Sequence, residues 1–308
     1  MYKAFNSDLK IGGYQFKVGK TYEIEGEAEF EFCVDMQDCF RRRDINSRIC
    51  EVKTEEIVDS KWEVISRKIT IIRELSKQEI MDRITGSEWA YLWARDIGDE
   101  EVMVDRVTEP YWAYLWARFI GNKDVMIDRV TNSKYAYWWA IEIGNKDVMI
   151  DRVTESKWAF WWAIEIGNKD VMIDRITESE YAYLWARDIG DEEVMIDRIT
   201  DSKHAFWWAK YIGNKDVMID RITKSGDAYR WAVEIGNQDI MIDRITESEP
   251  AYWWAKYVGN QEVMIDRVTD SVFSYLWAMQ IGNRDVMLPR ITDERQRRQI
   301  EGQIKQDS

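Results

Sequence analysis

The sequence predicts a mainly α-helical protein. It is read as a right-handed-type α-solenoid of nine 23-residue helix pairs, preceded by a small β-rich or α+β N-terminal domain. Three observations carry this. From Asp82 to Leu288 the chain repeats with a period of 23 residues, without a gap. Each copy holds two helix-type stretches divided by a Gly. The first 75 residues break the pattern and alternate apolar with polar side chains, as half-exposed strands do.

The N-terminal segment comes first. Phe30, Phe32 and Val34 alternate with Glu29, Glu31 and Asp35. The stretches 49–53 and 68–75 also read as strands, and Gly12-Gly13, Gly19 and Gly26 punctuate turns. Ser76 and Glu79 then form a capping box, which opens the first array helix over 76–84.

Copies 1 to 9 open at Asp82, Asp105, Asp128, Asp151, Asp174, Asp197, Asp220, Asp243 and Asp266. In copy 4 the residue after Gly167 is Asn168, an expected N-cap with Asp170 two positions on. The helix that starts there is expected to run through Met to about the Thr. A second helix starts near Ser156 and ends at Gly167, a left-handed cap. Pro110 and Pro250 fall in its first turn, where Pro is tolerated. Ala159, Trp162, Ala163 and Ile166 share one face. Helices of ~8–11 residues are unstable alone in water, so stacking is required. At ~8–10 Å per layer, nine layers make a rod or arc of roughly 70–90 Å. Pro289 interrupts the repeat, and 293–308 turns polar, as a C-terminal cap requires. The expected domains are 1–75, 76–292 (nine repeats over 82–288) and 293–308.

Composition bounds the function. The chain has 308 residues, 43 basic and 57 acidic, for a net charge of −14. That disfavours nonspecific binding to nucleic acid or anionic lipid. No apolar run is long enough to span a membrane, and no signal peptide is read in residues 1–10. One His argues against His-based metal or triad chemistry. Cys33, Cys39 and Cys50 are few, odd in number and unlike a zinc site, which fits a reducing cytosol. No cofactor or metal is expected.

The Gly-Asn-Lys-Asp-Val helix start and the Trp-Ala helix resemble short α-solenoid repeats of roughly two dozen residues, found in bacterial and viral proteins of unknown function. The resemblance covers 76–292 and implies a solenoid without a particular activity. The stretches 2–10, 14–22, Phe32-Cys33 and 46–52 resemble an uncharacterised module common at the N-terminus of phage and prophage proteins. Phe30-Glu-Phe-Cys33 departs from that module's Gly-Phe-His-like form, and the His is missing. This second resemblance implies a viral or prophage origin.

Constant and variable positions separate next. The Trp series from Trp93 to Trp277 and the Met series from Met103 to Met287 read as core. The Asp-Arg pair opening each copy reads as exposed ion pairs of small individual worth, or as a charge ladder. On the second helix, variation falls on the seventh, eighth, eleventh, fourteenth and fifteenth positions, opposite the core face. The eighth and eleventh supply Trp89, Trp112, Tyr135, Trp138, Trp158, Trp161, Tyr181, His204, Trp207 and Trp253. Two readings stand for them: a protein-binding face, or packing against the next layer. His204 reads as a variant surface residue. Copies 1 and 5 carry net charges of −4 and −5. Their acidic residues are Asp96, Asp99, Glu100 and Glu101, and Asp188, Asp191, Glu192 and Glu193. These are candidates for a basic partner, roughly 35–40 Å apart at the layer spacing above.

The expected function is a non-enzymatic, phage-type interaction protein in the host cytosol. It would bind a host protein through the solenoid, in its concrete version as an inhibitor of a bacterial defence system such as CRISPR. The partner could itself bind nucleic acid, the acidic patches mimicking phosphate; no membrane or direct nucleic-acid contact is expected. The alternative is a nucleotide-dependent transferase in 1–75, near Glu27, Glu29 and Glu31, with the solenoid as substrate adaptor. A third reading is base stacking on the aromatic stripe, with Arg41-Arg42-Arg43 as basic support.

Overall fold

The computed structural model describes residues 1–11, 14–24, 30–42, 44–54, 58–60 and 63–307. Gly12, Gly13, Gly26, Glu27, Glu29, Arg43 and Trp62 lie outside the described residues. The chain forms two compact units, Met1–Thr154 and Glu155–Ser308. The architecture is that of an α-solenoid of repeated helix pairs behind a small antiparallel β region.

In the first unit, nine strands come first among the described residues: β1 Tyr2–Phe5, β2 Lys10–Ile11, β3 Tyr14–Gln15, β4 Thr21–Glu23, β5 Phe30–Phe32, β6 Arg48–Lys53, β7 Val58–Ser60, β8 Glu63–Ser66 and β9 Lys68–Glu74. They pair antiparallel in three sheets, β1-β6-β9-β4, β2-β3 and β5-β8-β7. Alternation of apolar residues aims Phe5, Phe30, Phe32, Val52, Ile69 and Ile71 into one core with Phe16 and Cys50. The strand readings at 30–34, 49–53 and 68–75 therefore hold, each within two residues. A helix at Asp38–Arg42 follows β5.

The array begins at Lys77–Arg83, where Ser76 and Glu79 do form the capping box. Each following copy builds the same three pieces. In copy 4 a ten-residue helix spans Ser156–Glu165, then a four-residue helix Lys169–Met172, then a 3-10 turn Ile173–Arg175. The short helix is therefore not one continuous segment reaching the Thr. It tightens into 3-10 geometry after Met172, which brings Ile176 inward to a fully buried place.

Between the two helices the backbone turns left-handed twice, at Gly167 (φ 107°) and Asn168 (φ 55°). Asn tolerates this region better than most residues. The expected side-chain cap is absent. Asn168 occupies the N-cap place, but its left-handed backbone directs the side chain away from the helix N–H groups, and no cap hydrogen bond forms. The Gly at the C-terminus behaves as expected: Gly167 N–H donates back to the Trp162 carbonyl at 3.0 Å.

Ala159, Trp162 and Ala163 are buried as read, Ile166 half so. The tenth position joins them: Tyr91, Tyr114, Phe160, Phe206 and Tyr252 are buried. Copies are stapled by two polar devices inside this core. Arg221 Nη1 donates to the carbonyls of Ile196, the last residue of copy 5, and, at 2.7 Å, of Ile199 in copy 6. Arg129, Arg152, Arg198, Arg244, Arg267 and Arg290 do the same. The Arg side chain is 20–25% exposed and its Asp partner 84–87%. The Asp-Arg ladder is thus a fringe, and carbonyl capping is the main bond. The second device is a buried Ser at the sixth position. Ser156 Oγ accepts from Thr177 and Glu178 N–H at 2.9 and 3.2 Å. Pro110 takes this place in copy 2 and brings no hydroxyl.

The β-rich module seals the first copy by imitating a preceding one. Gln37 Oε1 accepts from Thr85 and Gly86 N–H at 3.1 and 3.3 Å. Those are the same two positions that Ser87 serves in copy 2, at Thr108 and Glu109. Phe40 lies 5.6 Å from Trp89 and 6.4 Å from Trp93, where a tenth-position ring would sit. Arg106 completes the seam on the carbonyls of Met81 and Ile84.

In the second unit the array runs on through copy 9 and ends in a helix at Glu294–Asp307. Ile300 falls in register with the core Trp and is fully buried. The remaining turns are polar, so the last hydrophobic face is covered without offering another.

Candidate protein-binding surface

The short helix and the long helix expose different kinds of surface. On the short helix, Val102, Val125, Val148, Val171, Val194, Val217, Ile240, Val263 and Val286 are 43–48% exposed. Eight of these nine are the same residue, although no core holds them. Exposure alone therefore does not let a position vary in this array. The first residue of the short helix does vary, among Glu100, Lys123, Glu192, Gln238 and Arg284, but only in polar and charged side chains; variation that includes large aromatics falls on the outer face of the long helix.

The structure divides that face in two. Eighth-position side chains pack under the tenth-position ring of the copy before. Tyr91 meets Trp112 at 5.5 Å, Tyr114 meets Tyr135 at 6.1 Å, Phe160 meets Tyr181 at 6.1 Å and Tyr183 meets His204 at 6.4 Å. Trp89 is buried, and Trp158 is half-buried with Lys157 Nζ 5.1 Å from its ring. For these the packing account applies. The eleventh position opens outward. Trp138 and Trp161 are 37% and 40% exposed, and Trp207 and Trp253 are half-exposed. Each leans edge-on against its own tenth-position ring, at 5.5, 5.3, 5.3 and 4.8 Å in that order.

Between the long helices of copies 5 and 6 the face forms a groove of about 650 Å³. It is lined by Glu180, Tyr183, Leu184, Arg187, Lys203, His204, Trp207 and Tyr211. All but Tyr183 stand at the five variable positions. His204 and Trp207 were named from the sequence. Tyr183, Arg187, Lys203 and Tyr211 were not, though the variability at positions seven, fourteen and fifteen marked all but Tyr183. His204 is held by Asp201, whose Oδ2 lies 2.7 Å from Nδ1. Burial works against ionisation of Asp201, but the His204 contacts outweigh it and lower the carboxyl below its usual range. Arg187 lies over the Tyr183 ring at 5.6 Å.

The acidic residues separate similarly. Asp96 is gripped by Arg95 at 2.7 and 2.8 Å, and Asp188 by Arg187 at the same distances. The guanidinium in each case holds the carboxyl below its usual range. Asp99 takes Lys77 at 2.6 Å and the Trp93 indole N–H at 3.2 Å, and its carboxyl is lowered chiefly by Lys77. Asp191 accepts from Trp185 Nε1 at 3.4 Å. Glu100, Glu101, Glu192 and Glu193 are exposed and have no ion-pair partner among the described residues.

Other chemistry is sparse. Among the described residues no group of three or more His, Cys, Asp or Glu is placed to hold a metal ion. No helix there is long and apolar enough to cross a membrane. Cys33, Cys39 and Cys50 are buried free thiols; a hydrogen bond with Cys33 and burial push the Cys39 thiol up, and burial raises Cys50 to about 11. Such thiols are poor nucleophiles. Glu31, of the carboxylates considered for transferase chemistry, sits on β5 with its backbone carbonyl accepting from Lys3 Nζ at 2.7 Å.

Residues 1–83 match the family described as a domain of unknown function, DUF7666. The match spans the β-rich module and the first array helix, the parts that together imitate a preceding copy. No curated protein matches the chain, and no solved structure does.

Proposed function

We propose that the protein is a non-enzymatic binding protein that engages another protein through the outer face of its long helices. The observation behind this is that the outer face of the long helix varies from copy to copy in large aromatic and charged side chains, while the equally exposed Val series of the short helix stays nearly constant. Exposed Trp and Tyr beside varied charge are the usual anchors of protein interfaces. The finer reading is a phage-type protein acting in the host cytosol. It binds a host protein and inhibits a bacterial defence system, of CRISPR type in its concrete version. Phosphate mimicry rests on Glu100, Glu101, Glu192 and Glu193, because the neighbouring aspartates are committed to internal partners.

The test is position-resolved photo-crosslinking in bacteria. A crosslinker at Trp161 or Trp207 is expected to trap one host protein, and one at Val171 on the short helix to trap none. Equal trapping from both faces would reject the reading. Reversal of the four glutamates to Lys is expected to weaken that protein's inhibition; unchanged inhibition sinks the mimicry version alone.

A further inference from the structure

Within the second unit, copies 6 and 8 repeat one exposed cluster. Trp207-Trp-Ala-Lys-Tyr211 and Trp253-Trp-Ala-Lys-Tyr257 are identical in sequence. In each, the eleventh-position Trp stacks on the fifteenth-position Tyr, at 5.5 and 5.7 Å with 12° between the planes. Lys210 Nζ lies 5.5 and 5.0 Å from the Trp207 and Tyr211 rings, and Lys256 Nζ 5.4 and 5.2 Å from Trp253 and Tyr257. The ring quadrupoles hold each ammonium on the aromatic platform. Tyr211 and Tyr257 are 57% and 63% exposed. Copy 7 between them presents Arg230 and Val233.

The charge here opposes that of the chain. Lys203, Lys210, Arg230 and Lys256 lie on this face in a protein of net charge −14. Lys210 is paired with Glu234, and Arg230 with Asp227 at 3.8 Å. Lys203 and Lys256 have no carboxylate partner among the described residues; Lys256 donates instead to the neutral Gln280 Oε1 at 2.6 Å. The result is an apolar, aromatic platform on which Lys203 and Lys256 lack a carboxylate partner among the described residues and Glu249 is the exposed acid beside them.

We propose that this face of copies 6 to 8 binds an extended acidic segment of a partner protein. Its carboxylates face the lysines and its apolar side chains lie on the Trp–Tyr stacks. The inference rests on the protein-binding reading and gives the partner's chemistry. The two clusters stand two layers apart, roughly 16–20 Å. An extended chain rises about 3.3 Å per residue, so two acidic-apolar anchors about five or six residues apart span them. A single nucleic-acid strand fits less well. One face of each Trp is already covered by a Tyr, so a base cannot insert there. A phosphate at every nucleotide would also run past Glu234, Glu247 and Glu249, which carboxylates set about five or six residues apart avoid.

The experiment is fluorescence polarisation on the full-length protein. The probes are labelled peptides of about a dozen residues: one with Glu and Phe anchors at that spacing, its Gln counterpart and its Lys counterpart. An unlabelled oligothymidylate of similar length is the competitor. The acidic peptide is expected to bind at low salt and to weaken at least tenfold in the Lys210→Glu/Lys256→Glu double variant. Trp253→Ala is expected to weaken it, and Val171→Lys on the short helix to leave it unchanged. Circular dichroism confirms that each variant folds. Equal binding of the Gln or Lys peptide, no effect of the double variant, or displacement by the oligonucleotide at matched concentration would overturn the proposal. If Trp207 crosslinks a host protein while the acidic peptide fails to bind, the partner's chemistry is wrong and the face is right. If both fail, the reading of the face falls with it.

Discussion

Trp207 and Trp208 are neighbours in sequence with opposite roles. Trp208 is fully buried and Trp207 half-exposed. Trp208→Ala is expected to cost about 3–5 kcal/mol in chemical denaturation. Trp207→Ala is expected to cost well under that and to abolish partner capture. The core Trp also carries a polar problem. In copies 2, 3, 4, 6, 7, 8 and 9 the buried indole N–H has no hydrogen-bond partner, and an Asn follows the Gly. In copies 1 and 5 that residue is Asp99 or Asp191, and the carboxylate accepts the indole proton. Asn168→Asp is therefore expected to stabilise the fold by about 0.5–1.5 kcal/mol at neutral pH, read by thermal denaturation. This gives two of the copy 1 and copy 5 acids a packing reason that charge counting could not see. At the other end of the array, backbone and side-chain bonds from Ser76 together with Arg73 lower Glu79 to about 2. A depressed carboxyl contributes stability above its unfolded value, about 4.3, and loses it as pH falls through its folded value. The stability gap between the wild type and Glu79→Gln should be full at pH 7 and vanish near pH 2 in an acid titration.

At the level of elements, the seams decide. Arg221 reaches the carbonyls of Ile196 and Ile199, so Arg221→Ala removes two charge-assisted bonds across the seam. It should destabilise by about 1.5–3 kcal/mol. Asp220→Ala, which removes an 86% exposed partner of Arg244, should cost under ~0.5 kcal/mol. Equal effects in urea denaturation would reverse the account of the ladder. The pairing of Asp with Arg was legible in the sequence. The choice of carbonyls as the principal partner was not, because backbone acceptors leave no mark on side-chain composition. The β-rich module shows the same limit. Its strands were readable from alternation at Phe30–Phe32 and Lys68–Glu74. Gln37 and Phe40 carry no repeat signature, yet they fill the places of a Ser and a tenth-position ring. Gln37→Ala with Phe40→Ala should fray copy 1 first, seen as faster amide exchange over 85–107 than in copies 2 and 3.

For the whole molecule, the near-identity of seams within each unit makes a copy the natural unit of change. Charge is distributed as unevenly as the sequence suggests, but its meaning shifts. The acids of copies 1 and 5 are partly internal pairs, while copies 6 to 8 gather cations on an aromatic face. The sequence by itself determined the period, the two helices per copy, the buried Trp and Met series and the polar terminal cap. A strict repeat leaves core positions no freedom, so they can be counted along the chain. The tertiary structure alone decided which outer aromatics are packing and which are surface. Trp112 and Trp138 look alike in the sequence. The ring of Tyr91, twenty-one residues before Trp112, covers the first. Trp138 has its own neighbour Tyr137 beside it and stays open. Burial of an outward residue depends on the layer before it, and that layer is brought close by stacking, not by sequence.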